Sequence, residues 1–128
     1  MRPIVLSIAG SDPSCGAGIQ ADLKTFQHFG VFGLTAVSCV VAETAREVGS
    51  VHPVPPPVLG EQVAMLLRSF PVAAIKTGML FSAAHVEAAC EALGDAEHRR
   101  ALLEAKFLGV DGCPTFGEKL VAEGILSS

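Results

Sequence analysis

Short apolar runs of strand length alternate along this chain with segments whose apolar residues recur at helical spacing. Ile4 to Ala9 is such a run between Pro3 and Gly10, which predicts a strand buried on both faces of a parallel sheet. Leu34 to Ala42, rich in Val, Thr and Cys, and Val72 to Lys76 predict two further strands. This alternation constrains the fold more than any other feature of the sequence.

Three helices are expected between and after these strands. The first begins near Gly18 and stops at Gly30, and Ser82 is a plausible N-cap for the third. The proline-rich stretch from Val51 to Pro57 is expected to be a stiff surface connection and not a helix, because proline lacks a backbone donor. The apolar positions of the three helices are Ile19, Leu23 and Phe26, then Leu59, Val63, Leu66, Leu67 and Phe70, then Val86, Ala89, Cys90 and Leu93.

Alternating strands and helices predict an α/β fold with a parallel sheet. Ligands of such sheets bind beyond the carboxyl ends of the strands. Three segments follow predicted strands here, namely Gly10 with its loop, Glu43-Thr44, and Thr77-Gly78-Met79. Whatever the domain binds is therefore expected to contact these three segments.

Composition narrows the class of partner. A net charge of -4 argues against nucleic acid as a partner, and half of the residues are hydrophobic, which argues against disorder. The apolar start is too short for a signal peptide or membrane span, so a cytoplasmic protein without membrane contact is expected. The cysteines are too widely spaced for a zinc site and are expected to be reduced thiols; no metal ligands are predicted.

A glycine motif raises one competing hypothesis. Gly16 to Ala21 matches G-x-G-x-x-A between a strand and a helix, and Glu43 follows where a ribose-binding acid would stand in a dinucleotide site. However, the loop from Ser11 to Cys15 separates the strand from this motif, whereas a dinucleotide fingerprint turns directly from strand to helix. The sequence has no G-x-x-x-x-G-K-[ST] motif for a Walker-type site.

The stretch from Ile8 to Phe26, Ile-Ala-Gly-Ser-Asp-Pro-Ser-Cys-Gly-Ala-Gly-Ile-Gln-Ala-Asp-Leu-Lys-Thr-Phe, closely resembles the opening motif of the hydroxymethylpyrimidine and phosphomethylpyrimidine kinases of thiamine biosynthesis. The likeness continues at residues 33–37, 51–56 and 74–80, in the same order and spacing, and covers roughly residues 4 to 93. It implies a ribokinase-like fold, a three-layer parallel sheet flanked by helices, of which this chain holds about the first three strand-helix units.

The resemblance also implies a function. Family members use ATP with Mg²⁺ to phosphorylate 4-amino-5-hydroxymethyl-2-methylpyrimidine and then its monophosphate. By the same comparison Gly10, Asp22, the residue at position 43 and Met79 border the pyrimidine. Catalytic residues stay unassigned, because the family takes its Mg²⁺ and phosphate ligands from later strands, including a Gly-Thr-Gly-Cys turn that Asp111-Gly112-Cys113-Pro114 matches only faintly.

Two positions depart from the family pattern. The family commonly has Gln where this chain has Glu43, and Gly where it has Cys15. An amide both donates and accepts hydrogen bonds, whereas an ionised carboxylate only accepts, so the recognition of the ring edge changes. Without the family, Asp22 could equally be an ordinary helix residue and Met79 a core residue.

The expected organisation is a ribokinase-like amino-terminal half over residues 1–94, with the substrate loops, and a helical tail over residues 95–128. In this tail, residues 95–107 and 117–125 could be helices and residues 108–116 a turn. The expected partners are a small aminopyrimidine and further copies of the chain, because three parallel strands leave an unpaired edge. Two alternatives to the pyrimidine kinase stay open, a non-catalytic pyrimidine-binding module and a pyridoxine-type kinase.

Overall fold

The computed structural model describes residues 1–94, which form seven elements. In chain order these are β1 (Ile4–Ser11), α1 (Gly18–His28), β2 (Phe32–Glu43), β3 (Val48–Pro53), α2 (Pro56–Ser69), β4 (Val72–Thr77) and α3 (Ala83–Leu93). The predicted tail, residues 95–128, and its Asp111–Pro114 turn lie outside the described residues.

One four-stranded sheet with the order β3-β2-β1-β4 organises the described part of the chain. β1 pairs in parallel with both β2 and β4, which confirms the predicted α/β fold with its parallel strands. The interior of β1 is buried on both faces, as expected of a strand between two helical layers. The carboxyl ends of these three parallel strands therefore meet along one edge of the sheet.

Helices cover both faces of the sheet. On one face α2 and α3 pack against an apolar cluster that includes Leu6, Ile8, Leu59 and Val63, all fully buried. On the other face α1 packs against β1 and β2 and contributes the buried ring of Phe26. This is the predicted three-layer arrangement, since apolar residues alternate between the two sides of β1 and both sides need cover.

The expectation for the proline-rich stretch is wrong in part. Val51 to Pro53 belong to β3, which runs antiparallel to β2 and which the sequence analysis missed, and Pro56 and Pro57 are the first residues of α2. Proline fits both places for physical reasons. The first turn of a helix has no intrahelical partner for its N–H groups, and an edge strand needs only half of its donors. Only the short segment at Val54 and Pro55 connects the two elements.

A glutamine side chain extends the sheet where β3 stops. β3 pairs with β2 only from Cys39 onward, so the outward-facing backbone groups of Val37 have no strand partner. Gln62 of α2 replaces it, because its side-chain oxygen accepts from the Val37 N–H at 3.0 Å and its amide donates to the Val37 carbonyl at 3.2 Å. The same helix therefore covers the core and closes the gap in the ladder.

The two outer strands of the sheet differ. β3 shields the outer side of β2, whereas no strand within residues 1–94 pairs with the outer side of β4. The expectation of a homo-oligomer rests on such an edge and stays a prediction. No helix among residues 1–94 is long and apolar enough to cross a membrane.

Two glycines with positive φ form a matched test of how closely α1 approaches β1. Gly18 has φ +62°, and a Cβ there would lie 2.4 Å from the Gly10 carbonyl oxygen; Gly30 has φ +70° and open space around it. We expect Gly30→Ala to cost about 1–2 kcal/mol, the price of the left-handed backbone alone. Gly18→Ala should cost clearly more, because it adds a clash with main chain.

Urea unfolding of the two variants, followed by circular dichroism, measures this difference. Equal midpoints for Gly18→Ala and Gly30→Ala would contradict the close approach of α1 to the end of β1.

Candidate functional site

The carboxyl edge of the sheet brings Gly10 together with Met79. A Cβ at Gly10 would lie 3.0 Å from Cys39 Sγ and 3.5 Å from Met79 Cε, so the missing side chain is what leaves room there. Gly10 is buried, and the Met79 side chain is half exposed. Met79 is therefore a surface residue with a free thioether face and not part of the core, the other interpretation considered for it.

Backbone contacts hold the loop that carries Met79. The buried hydroxyl of Ser38 donates to the Met79 carbonyl oxygen at 2.6 Å, and the Gly78 N–H donates to the Ile8 carbonyl oxygen at 2.9 Å. Both partners belong to neighbouring strands, so β1 and β2 set the position of this loop directly. The loop after β4 is thereby attached to the same edge as Gly10.

His85 connects the end of this loop with Val54, the residue that follows β3. The buried imidazole of His85 places Nε2 2.6 Å from the Val54 carbonyl oxygen and Nδ1 2.6 Å from Ser82 Oγ. Because a carbonyl only accepts, Nε2 carries the proton and, in the neutral ring, Nδ1 accepts from the hydroxyl. Ser82 also accepts from the His85 N–H at 3.4 Å, which confirms it as the N-cap of α3. Phe81, at φ +71°, sets its ring edge-on to the imidazole at 5.4 Å.

The loop between β1 and α1 is organised by the carboxylate of Asp12. One oxygen accepts from the Ser14 N–H and hydroxyl at 2.8 and 2.6 Å, and the other accepts from the Gly16 and Ala17 N–H groups at 3.0 and 2.8 Å. The Ser14 hydroxyl does most to lower the pKa of Asp12 below its ordinary value; the backbone N–H groups of Ser14, Ala17 and Gly16 add to this, and desolvation opposes it. Asp12 is thus an ionised acceptor at neutral pH.

This carboxylate argues against the dinucleotide hypothesis. In a dinucleotide fingerprint the amides of the glycine turn face the pyrophosphate, and here the Gly16 and Ala17 amides already bind the protein's own anion. A second anion beside Asp12 would be repelled.

The departure at Cys15 has a backbone consequence. Cys15 adopts φ +60°, in the left-handed region that favours glycine, the residue that the resemblance to the kinase family implies for this position. The cysteine therefore carries a backbone cost of about 1–2 kcal/mol that a glycine would avoid. Its carbonyl oxygen accepts from Lys24 Nζ at 3.1 Å, a contact that keeps the loop against α1.

Asp22 lies one turn into α1, above the sheet, and is bound by two residues that the sequence analysis did not single out. Lys76 Nζ lies 2.9 and 2.8 Å from its two carboxylate oxygens, and the Ser7 hydroxyl donates to one of them at 2.6 Å. The side chain of Asp22 is 13% exposed and that of Lys76 24%. Asp22 is therefore not an ordinary solvated helix residue.

Glu43 stands apart from the other three predicted residues. It pairs with Val48 near the tip of the β2-β3 hairpin, three positions after Val40, which is the partner of Ser11 at the end of β1. At about 3.3 Å per residue, Glu43 lies about 10 Å beyond the end of β1 along the strand. The structure thus brings Met79 close to Gly10 and, through Lys76, places Asp22 beside the loop that carries Met79, whereas Glu43 projects past the edge on the hairpin.

A signal for the missed residues was present in the sequence. Ser7 and Lys76 are polar residues within otherwise apolar strand runs, and a buried polar residue needs a partner. What the sequence did not contain was the register, which sets Ser7 directly beside Lys76 in adjacent parallel strands.

Comparison with known proteins assigns the family. Residues 12–115 match the model of the phosphomethylpyrimidine kinase family. The chain belongs to this family. It is 38% identical over 118 residues to the hydroxymethylpyrimidine/phosphomethylpyrimidine kinase of Haemophilus influenzae, and 37% identical over 117 residues to that of Escherichia coli. These matches cover 92% and 91% of the chain but 44% of each relative, so the chain spans less than half the length of these family members.

Solved structures agree on the fold. The phosphomethylpyrimidine kinase of Clostridium difficile superimposes with a TM-score of 0.70 at 24% identity, over 97% of this chain and 70% of that one. The pyridoxal kinase of Bacillus subtilis, solved as an ADP complex, superimposes with a TM-score of 0.66 at 40% identity, over 73% of this chain and 36% of that one. The ribokinase-like interpretation of the fold is thereby confirmed.

The lowered pKa of Asp12 predicts an acid-sensitive contribution to stability. A carboxyl whose folded pKa is depressed stabilises the protein above its unfolded value, about 3.9, and loses that contribution as pH falls through the folded pKa. We expect Asp12→Asn to lower the melting temperature at pH 7. The gap from wild type should shrink as pH falls from about 5 to about 2, since protonation removes the same interaction from the wild type.

Thermal melts at each pH check this expectation, with Glu61→Gln on the exposed face of α2 as the matched loss of one carboxylate. A gap that stayed constant down to about pH 2 would show that the Asp12 charge does not stabilise the loop.

Proposed function

We propose that this chain forms the pyrimidine-binding part of a hydroxymethylpyrimidine and phosphomethylpyrimidine kinase. The reaction is the ATP-dependent phosphorylation of 4-amino-5-hydroxymethyl-2-methylpyrimidine and then of its monophosphate, in thiamine biosynthesis. The observation that carries the proposal is that Met79 Cε lies 3.5 Å from the position a Cβ would take at Gly10, at the sheet edge where parallel α/β folds bind ligands. Both residues lie in the motifs that resemble the family.

Each predicted site residue has a role in this proposal. The absent side chain at Gly10 lets Met79 lie close to the end of β1, and the half-exposed side chain of Met79 packs on the ring face. Asp22 accepts a hydrogen bond from a donor on the ring or its substituents. Glu43 reaches the ring edge from the hairpin, which then acts as one wall of the site.

ATP and Mg²⁺ do not fit the residues that the structure describes. Within residues 1–94 no three acidic, histidine or cysteine side chains group together as metal ligands. The amides of Gly16 and Ala17, which precede α1, already bind Asp12, and the ammonium of Lys76 is paired with Asp22. No step of phosphoryl transfer is therefore assigned to this part of the chain, and the nucleotide and metal ligands are expected elsewhere in the family's site.

A second candidate is a pyridoxine-type kinase, which the likeness to pyridoxal kinases supports. Their solved structures reach 40–41% identity over 72–73% of this chain. A third candidate is a non-catalytic pyrimidine-binding module. Titration with pyrimidine and with pyridoxal separates the first two candidates, and phosphate transfer separates a kinase from a binding module.

The cellular setting belongs to the same proposal. A small aminopyrimidine is the partner, and the cytoplasm is the compartment, where thiols such as Cys15, Cys39 and Cys90 stay reduced.

The 128-residue chain by itself is expected to bind the aminopyrimidine without transferring phosphate. Calorimetry should detect the pyrimidine, and a coupled assay with ATP and Mg²⁺ should show no turnover, because no ligands for either are assigned in residues 1–94. Turnover by the purified chain that Asp22→Ala abolishes would contradict this expectation, whereas failure to bind any pyrimidine would overturn the proposed function.

Glu43 predicts a pH dependence of pyrimidine binding. The 4-amino group can donate to its carboxylate, but the neighbouring ring nitrogen is an acceptor and needs a proton between it and the second oxygen. That proton sits either on Glu43 or on the bound ring, so affinity should rise as pH falls from about 8 to about 6. The limit is about ten-fold per pH unit, that for uptake of one proton.

Glu43→Gln is the test of this dependence, because an amide supplies its own donor and should flatten the trend. Calorimetric titrations of both proteins across the range decide the matter. Equal, pH-independent affinities would show that Glu43 does not contact the ring edge.

A further inference from the structure

Three polar side chains, those of Ser7, Asp22 and Lys76, meet between α1 and the sheet. Asp22 Oδ2 accepts from the Ser7 hydroxyl at 2.6 Å and from Lys76 Nζ at 2.8 Å, and Asp22 Oδ1 accepts from the same ammonium at 2.9 Å. The cluster spans β1, α1 and β4, so three separate elements must be in place before it forms.

The sheet register places the two donors side by side. Ser7 and Lys76 are direct partners in the parallel β1-β4 pair, and their side chains leave the sheet on the same face. Asp22 lies one turn into α1, and because α1 packs on this face of the sheet, its carboxylate contacts both donors. Lys76 therefore reaches Asp22 from a rigid strand and not from a mobile loop.

Counting lone pairs shows what the carboxylate can still do. A carboxylate has about four acceptor sites, and the Ser7 hydroxyl and Lys76 ammonium take both sites of Oδ2 and one of Oδ1. One acceptor site is left, on Oδ1. With its charge balanced by Lys76, Asp22 is an oriented acceptor for one donor.

The ion pair also lies against the candidate site. Lys76 Nζ is 3.4 Å from the position that a Cβ would take at Gly78, and Gly78 directly precedes Met79 in the loop at the carboxyl edge. The side chains of this pair are only 24% and 13% exposed, so the cost of desolvating the two charges offsets much of their attraction, and such a pair is weak evidence of a gain in stability. Stability alone is therefore a weak reason for a lysine in this strand.

We propose that Lys76 is a positioning residue for substrate recognition, which together with Ser7 holds Asp22 in one orientation as a single-donor acceptor. The inference rests on the proposed function, because the donor that Asp22 accepts belongs to the aminopyrimidine. Lys76 acts through Asp22 and itself makes no contact with the ring.

The test compares three ligands in calorimetric titrations. They are 4-amino-5-hydroxymethyl-2-methylpyrimidine, its analogue with methyl in place of hydroxymethyl, and its analogue without the amino group. Lys76→Met should weaken the first ligand about ten-fold or more, since it disorders a charged hydrogen-bond acceptor. It should weaken one of the two analogues much less, the one that lacks the donor read by Asp22.

Two further variants complete the calorimetric design. Lys76→Arg should recover most of the affinity, because a guanidinium also donates to both oxygens of a carboxylate. Arg68→Met, on the exposed end of α2, removes one positive charge elsewhere and should leave binding unchanged. Should Lys76→Met fail to fold, Lys76→Gln, which keeps a donor without the charge, takes its place in the same comparison. An equal loss for all three ligands, or no loss, would overturn the proposal.

A measurement without ligand separates this proposal from the proposed function. The ¹³Cγ resonance of Asp22 should shift in Lys76→Met, return towards wild type in Lys76→Arg and stay unchanged in Arg68→Met. If the Asp22 resonance is the same in Lys76→Met as in the wild type, the ion pair itself is rejected. If the resonance responds but the wild type binds no pyrimidine, the proposed function fails and the pair is a structural contact only, which also rejects its role in recognition.

Discussion

The burial of β1 between two neighbouring strands and two layers of helices is the constraint on which the rest of the structure depends. Leu6 and Ile8 point into the cluster under α2 and α3, and each contributes about 1.5–3 kcal/mol by leaving water. Because its other face carries Val5 and Ser7, also fully buried, β1 has no exposed side that could tolerate a slip in register. Because β1 pairs with both β2 and β4, it fixes the positions of the segments that form the candidate site.

The register between β1 and β4 brings residues that are distant in the sequence together at one site. It sets Ser7 beside Lys76, so one ammonium and one hydroxyl meet the carboxylate that α1 brings down at Asp22. The same strand ends at Gly10, where the absence of a side chain lets Met79 approach. The proposed pyrimidine site thus depends on a single strand that contributes no charged side chain of its own.

The start of α1 packs very closely against the end of β1. Its first residue, Gly18, lies so close to the Gly10 carbonyl that only glycine fits, and the carboxylate of Asp12 satisfies the preceding amides. An amide turn that could have bound phosphate is therefore used to build the loop. A glycine pattern typical of dinucleotide sites here has a structural role, which shows why such a motif needs its context before it indicates a ligand.

Side chains also replace missing backbone partners on the other side of the sheet. Gln62 continues the ladder beyond the end of β3, and His85 joins the segment at Val54 to the cap of α3 at Ser82. Both are polar residues on helices, and neither role can be predicted from helical spacing. His85 thereby connects the segment after the hairpin that carries Glu43 with the end of the loop that carries Met79.

The sequence by itself determined the strand-helix alternation, the parallel direction of three strands and the family, because apolar periodicity and an ungapped motif are local properties of the chain. It did not reveal β3, whose exposed residues lack an apolar pattern, or the start of α2 at Pro56, since proline is compatible with both a strand edge and a first helical turn. Only the tertiary structure decided that Lys76 and Ser7 bind Asp22 while Glu43 projects on a hairpin. Such partners are chosen by strand register and helix placement, and these emerge only when the whole core packs.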